Sequence, residues 1–173
     1  MTNLGSPRAS WLAVLVFAAF VPTIARAQRC QGCDDDTTAV HMHVLPALGL
    51  HVGTPEKVSA AAGIVVGKDW YRNGRDHGRN LALYVEPGLS AGRASLSYVS
   101  HGFGTFGSGY AIGPSVLRTW NDPWTVKPNV TYVGGDLTVW PIIFTGPRIG
   151  IFRRVAGYDP RRWFLSVDFG IGL

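Results

Sequence analysis

The side chains able to do chemistry in this sequence fall into three groups. The first is metal-like: His41 and His43, with Cys30, Cys33 and the acidic run Asp34–Asp36 just upstream. On a strand, residues two apart point the same way, so His41 and His43 would share a face. A zinc site also needs its ligands at a compact spacing, and a Cys pair tethered through a polar stretch does not supply one. No metal is expected. In an oxidising compartment Cys30-x-x-Cys33 closes a small disulfide loop. A thioredoxin-like redox centre would need that motif to open a helix after a strand. Here it is followed by Asp34-Asp35-Asp36-Thr37-Thr38, so a local disulfide or a pair of spare thiols is the expected role.

The second group is hydrolase-like: Ser97, Ser100 and His101 on one stretch, with Glu86 upstream. A nucleophilic Ser needs a His within hydrogen-bond reach and a third group to orient that His. Ser100 and His101 face opposite ways on a strand, and Ser97 and His101 form no compact motif. No catalytic residue is assigned. The third group is ionic: Glu86, Asp136 and Asp168, with Arg148 and Arg154. Buried carboxylates can serve as general acids or bases. Carboxylates and guanidinium groups on one shared face more simply make a structural ion-pair network.

What would hold these groups is β-structure. From Val40 onward the hydrophobic pattern has period two. At the end of the chain Trp163, Leu165, Val167, Phe169, Ile171 and Leu173 alternate with Phe164, Ser166, Asp168, Gly170 and Gly172. Similar alternation recurs at Val58–Gly67, Leu81–Ser90, Tyr132–Val139 and, more weakly, His43–Val52. Turn signals such as Thr54-Pro55, Arg72-Asn73-Gly74, Asn121-Asp122-Pro123 and Gly157-Tyr158-Asp159-Pro160 separate the runs. The spacing predicts eight strands near 43–53, 57–68, 80–90, 93–101, 108–120, 128–141, 147–156 and 161–173. No stretch carries a capped stripe of helical period.

The chain has 173 residues and a formal charge of +5. One cation, Arg8, precedes the apolar run Trp11–Phe20, and Ala25-Arg26-Ala27 offers small residues at a cleavage site. Residues 1–27 are therefore expected to be a signal peptide, 28–38 a flexible N-terminal arm and 39–173 a β-barrel domain. Without the leader 14 cations face 11 anions, an excess too small and scattered to suggest nucleic acid. The segment Asp69–Arg79 is basic and aromatic and could contact lipid phosphates or a partner, although a solvated loop is its default. Asn129-Val130-Thr131 matches a glycosylation sequon of little weight here, and no phosphate-cradling Gly loop is present.

One face of these strands is apolar, and the other is rich in Gly, Ala and Ser, with Glu86, Asp136, Asp168, Arg148 and Arg154 among them. Small residues suit a narrow interior better than a watery surface, and transmembrane barrels are built apolar-out and polar-in. Trp70, Tyr71, Phe103, Phe106, Trp120, Trp124, Trp140, Phe144, Tyr158 and Trp163 gather near strand ends, as interface belts require. In this pattern the chain resembles the small outer-membrane β-barrels of the OmpA, OmpX and OmpW kind. Its last strand is similar to their assembly signal, although it finishes in Leu173 rather than Phe. The resemblance implies an up-and-down antiparallel barrel filled by side chains, exported to the outer membrane. It also implies a monomer with lipid as its partner, no cofactor and a structural, adhesive or protective role. The alternatives are an exported soluble barrel holding an apolar ligand, lipocalin-like and periplasmic or secreted, and a lipid-modifying enzyme. Loop lengths run against the resemblance. Those families carry long loops after odd-numbered strands, whereas here the longest, Asp69–Asn80, follows the second.

Overall fold

The computed structural model describes residues 41–72, 75–101, 108–142 and 145–172. The expected signal peptide and N-terminal arm, with Cys30 and Cys33, lie outside the described residues. The described chain forms eight antiparallel strands. They are β1 (His41–Gly53), β2 (Lys57–Arg72), β3 (Arg75–Pro87), β4 (Ala91–His101), β5 (Gly109–Thr119), β6 (Thr131–Trp140), β7 (Thr145–Ala156) and β8 (Trp163–Gly172). Each pairs with its sequence neighbours, and β1 closes on β8, giving an up-and-down barrel. Eight strands enclose an interior just wide enough for side chains to fill.

Alternation decides which face is the inside. Along β8 the positions Trp163, Leu165, Val167, Phe169 and Ile171 are exposed, and Phe164, Ser166, Asp168 and Gly170 are buried. The same phase runs round the barrel, so that Ile64, Leu83, Leu96, Ile112, Leu137 and Ile149 all point outward. Phe169 exposes 57% of its surface and Leu83 53%, an arrangement opposite to that of a water-soluble barrel. Among the described side chains, charged outward positions occur only near the strand ends: Lys68 and Arg79 toward one end, Arg118 and Arg153 toward the other. Between them the described outer face carries no charge.

Inside, two apolar clusters occupy the two halves. One gathers Val65, Tyr84, Val99 and Trp140 toward the end where β1 begins and β8 finishes. The other gathers Leu117, Val126, Val130, Tyr132, Phe152 and Phe164 toward the opposite end. In the second, Phe164 stacks on Phe152 at 5.3 Å and meets Tyr132 edge-on at 4.6 Å. Trp140 is 1% exposed and points inward, so it belongs to the filling rather than to an outer aromatic belt. Gly109 allows this, because a Cβ there would come within 2.7 Å of the Trp140 ring nitrogen.

The connection after β5, residues 120–130, folds back over its end of the barrel and inserts Val126 and Val130. Thr119 fastens it, donating its hydroxyl to the Lys127 carbonyl at 2.8 Å and accepting the Val130 N–H at 3.0 Å. Asp159, in the β7–β8 connection, accepts the backbone N–H groups of Lys127 (2.7 Å) and Arg161 (2.8 Å) and so ties the two loops together. Burial alone would raise the Asp159 carboxyl, but these N–H donors hold it below its ordinary range.

One feature departs from the expected strand bounds. The long loop at Asp69–Asn80 is strand: β2 and β3 pair through Asp69↔Gly78, Trp70↔His77 and onward to Arg72↔Arg75. The stretch is polar enough to read as loop, yet its outward side carries a stacked Trp70–His77 pair, with ring centroids 5.9 Å apart, that supports continued pairing. With that loop gone, the longest connection is 120–130, which follows an odd-numbered strand. The β4–β5 ladder breaks between Ser95↔Ser115 and Tyr98↔Ile112. Pro114 lies in that gap, and a proline has no N–H to give the ladder.

Candidate functional site

Between the two apolar clusters lies a charged layer to which every strand contributes. β1 supplies His51, β2 Ser59, β3 Glu86, β4 Arg93 and Ser95, β5 Ser115, β6 Asp136, β7 Arg148, and β8 Ser166 and Asp168. All are buried, as the inward phase of each strand requires. Glu56 joins them from the β1–β2 turn.

Two arginines organise the layer. Arg148 grips Glu86 with both terminal nitrogens, Nη1 to Oε2 at 2.6 Å and Nη2 to Oε1 at 2.9 Å, and turns its Nε to Asp168 Oδ2 at 3.1 Å. Glu86 also accepts the Ser59 hydroxyl at 2.5 Å and lies 3.1 Å from His51 Nδ1. Arg93 donates Nε to Glu56 at 2.9 Å, and its Nη2 reaches Ser166 Oγ at 2.9 Å and Asp168 Oδ2 at 3.1 Å. Its Nη1 lies 3.5 Å from Asp136, its guanidinium packs over the Phe152 ring at 5.3 Å, and Ser115 donates to Asp136. A planar fork of donors suits such bidentate, multiply shared contacts. Gly170 makes room for His51, since a Cβ there would lie 2.0 Å from the imidazole Cδ2.

The layer therefore brings together Glu86, Asp136, Asp168 and Arg148, as alternation predicts. Arg154 does not join it. It has the right phase on β7 but lies six residues beyond Arg148, about 20 Å along a strand. The Phe152–Phe164–Tyr132 stack intervenes, and Arg154 instead donates to the Asp159 carbonyl at the strand end. Three members escape the sequence reading. Arg93 shares the inward phase of Ser95 and Ser97 on β4, and His51 that of Ala47 and Gly49 on β1, so period two alone could have placed both. Glu56 sits in a turn, where no periodicity applies.

Four carboxyl groups share two guanidinium groups here, so negative charge is in excess. Burial, reinforced by the nearby Asp168 and Glu86 carboxylates, outweighs Arg93 and pushes the Glu56 carboxyl up to about 7. A carboxyl raised on folding keeps a proton that the unfolded chain has released. Its stabilisation is full at pH 4.5 and below and is lost as the pH climbs toward about 7. The barrel should thus resist urea better at pH 5 than at pH 8, and Glu56→Gln, which keeps an acceptor for Arg93, should flatten that difference. Urea midpoints at the two pH values measure it, and an unchanged slope in the variant would assign the proton elsewhere.

The hydrolase-like residues are kept apart. Ser97 is buried on the inward face of β4, and His101 on the same face is four residues, about 13 Å, away. His101 Nε2 lies 3.2 Å from Asp69 Oδ1, while His43 Nδ1 lies 3.5 Å from Asp69 Oδ2. The two imidazoles thus engage different oxygens of one carboxylate at the barrel mouth. Among the described residues no group of three or more His, Cys, Asp or Glu is placed to hold a metal ion. No family model, curated protein or solved structure matches this chain.

Proposed function

We propose that this chain is a small membrane-spanning β-barrel of the outer-membrane kind, exported, monomeric and non-enzymatic, with a structural, adhesive or protective role. The observation that carries this reading is the outer face: apolar at every level between Lys68/Arg79 and Arg118/Arg153, and wrapped around a fully buried ionic layer. In water an exposed apolar surface of this extent drives association. In a hydrocarbon layer the same surface costs nothing, and β1 closes the ring on β8 through the pairs from Gly49↔Gly172 to Gly53↔Asp168. Strands of 10–16 residues are long enough to cross at the usual tilt.

A barrel that carries an apolar ligand would line its interior with apolar side chains around a cavity. Here the middle of the interior is filled by paired charges and both halves by packed aromatics and aliphatics, which supports a plugged barrel over a carrier. An enzyme would need its acids and hydroxyls to meet a substrate, and the buried Glu86 is already engaged by Arg148, Ser59 and His51.

Fractionation tests the proposal. The protein is expected in the outer-membrane pellet, released only by detergent, and should run at two gel positions depending on whether it has been boiled. Recovery as a freely soluble periplasmic protein would overturn it.

A further inference from the structure

Two like charges stand directly opposite each other on the outside of the barrel. Lys68 of β2 is the cross-strand partner of Arg79 of β3, and both side chains are exposed. Like charges at such a position repel, and sheets normally avoid the pairing. Among the residues whose side chains are described, no carboxylate pairs with either: Asp69, next in sequence, faces the other way and is engaged by His43 and His101.

The surroundings say what could relieve the repulsion. Toward the barrel middle, the next outward pairs are Val66↔Leu81 and Ile64↔Leu83, an uninterrupted apolar ladder. Away from it, the next pair is Trp70↔His77, and the Arg79 guanidinium lies 5.7 Å over the Trp70 ring. The order along the outer face is therefore aliphatic, cationic, aromatic. A phosphate between a Lys point charge and an Arg fork would be held by charge-assisted hydrogen bonds, with two hydrocarbon chains lying on the ladder below. The other outward cations differ in not facing each other: Arg118 on β5 donates to Thr131 Oγ1 at 2.8 Å, and it is separated from Arg153 on β7 by strand β6.

We propose that Lys68 and Arg79 form a binding site for the headgroup phosphate of an anionic phospholipid, with Val66 and Leu81 seating its acyl chains. This rests on the membrane-spanning reading, and the test separates the two. The purified protein is inserted into vesicles of equal parts dioleoylphosphatidylcholine and dioleoylphosphatidylglycerol. It is then released in mild detergent, and the lipids it retains are counted by native mass spectrometry. At roughly fivefold per cation near an anionic surface, the wild type should retain phosphatidylglycerol over phosphatidylcholine by about 25-fold. The K68Q/R79Q pair should lose most of that preference, and the charge-conserving K68R/R79K pair should keep it. Equal retention of the two lipids by an inserted wild type, or an undiminished preference in inserted K68Q/R79Q, would overturn the site while leaving the barrel reading intact. Failure of the wild type to insert into these vesicles would overturn the membrane-spanning reading itself.

Discussion

Replacing Arg93 by Met is expected to destabilise the barrel by about 3–5 kcal/mol, the usual cost of removing one partner from a buried ionic group. Arg93 touches Glu56, Ser166 and Asp168, with Asp136 at 3.5 Å, so its loss strands several acceptors in an interior from which water is excluded. Met approximates the volume of the Arg stem and can keep the contact with Phe152, which isolates the charge effect from a cavity effect. Arg148→Met should behave alike, leaving Glu86 without a guanidinium partner and Asp168 with Arg93 alone. Removing Glu86 together with Arg148, as Glu86→Leu with Arg148→Met, should recover part of the loss, because the two charges leave as a pair. The unfolding midpoint in urea, followed by the shift between folded and unfolded gel bands, measures each step. A double variant no better than the sum of its singles would mean that the pair is not coupled.

The second large effect belongs to the outside. Leu83 lies mid-strand on β3 with 53% of its surface exposed, and its cross-strand partners Ile64 and Leu96 are also exposed. In water, Leu83→Arg at so exposed a site would change stability by no more than about 0.5 kcal/mol. Against hydrocarbon, an outward Arg near the midplane costs roughly 2–4 kcal/mol. The account predicts that Leu83→Arg sharply lowers the yield of inserted barrel in phosphatidylcholine vesicles. Arg79→Lys, at the edge of the band, should insert like the wild type. Equal insertion of Leu83→Arg and wild type would show that this face does not meet lipid.

How much of this could be read from the residues depends on what period two carries. Alternation assigns a face, so Trp163–Gly172 and the inward phase of Glu86, Asp136, Arg148 and Asp168 were legible directly. Alternation does not assign depth. Arg154 shares a face with Arg148 yet sits at the rim, because nothing in the pattern reports how far along the barrel a residue lies. Composition misled at Asp69–Arg79, a charged and aromatic stretch that looks solvated yet pairs strand to strand. Trp140 shows the same limit in reverse, since proximity to a strand end suggested a belt while its phase and a facing glycine turn it inward. Glu56 was out of reach, because a turn residue enters the interior only once the barrel has closed.

The central claim is that the apolar face meets hydrocarbon while the ionic layer stays sealed within. Nitroxide labels placed singly along β8 of the barrel in lipid vesicles test it most directly, in a background with Cys30 and Cys33 replaced by Ser. Labels at Leu165, Val167 and Phe169 should collide readily with dissolved oxygen and hardly at all with a water-soluble nickel chelate. Labels at Trp163, nearer the barrel end, should show the opposite trend. Equal and high nickel accessibility at all four positions would place this face in water and contradict the account.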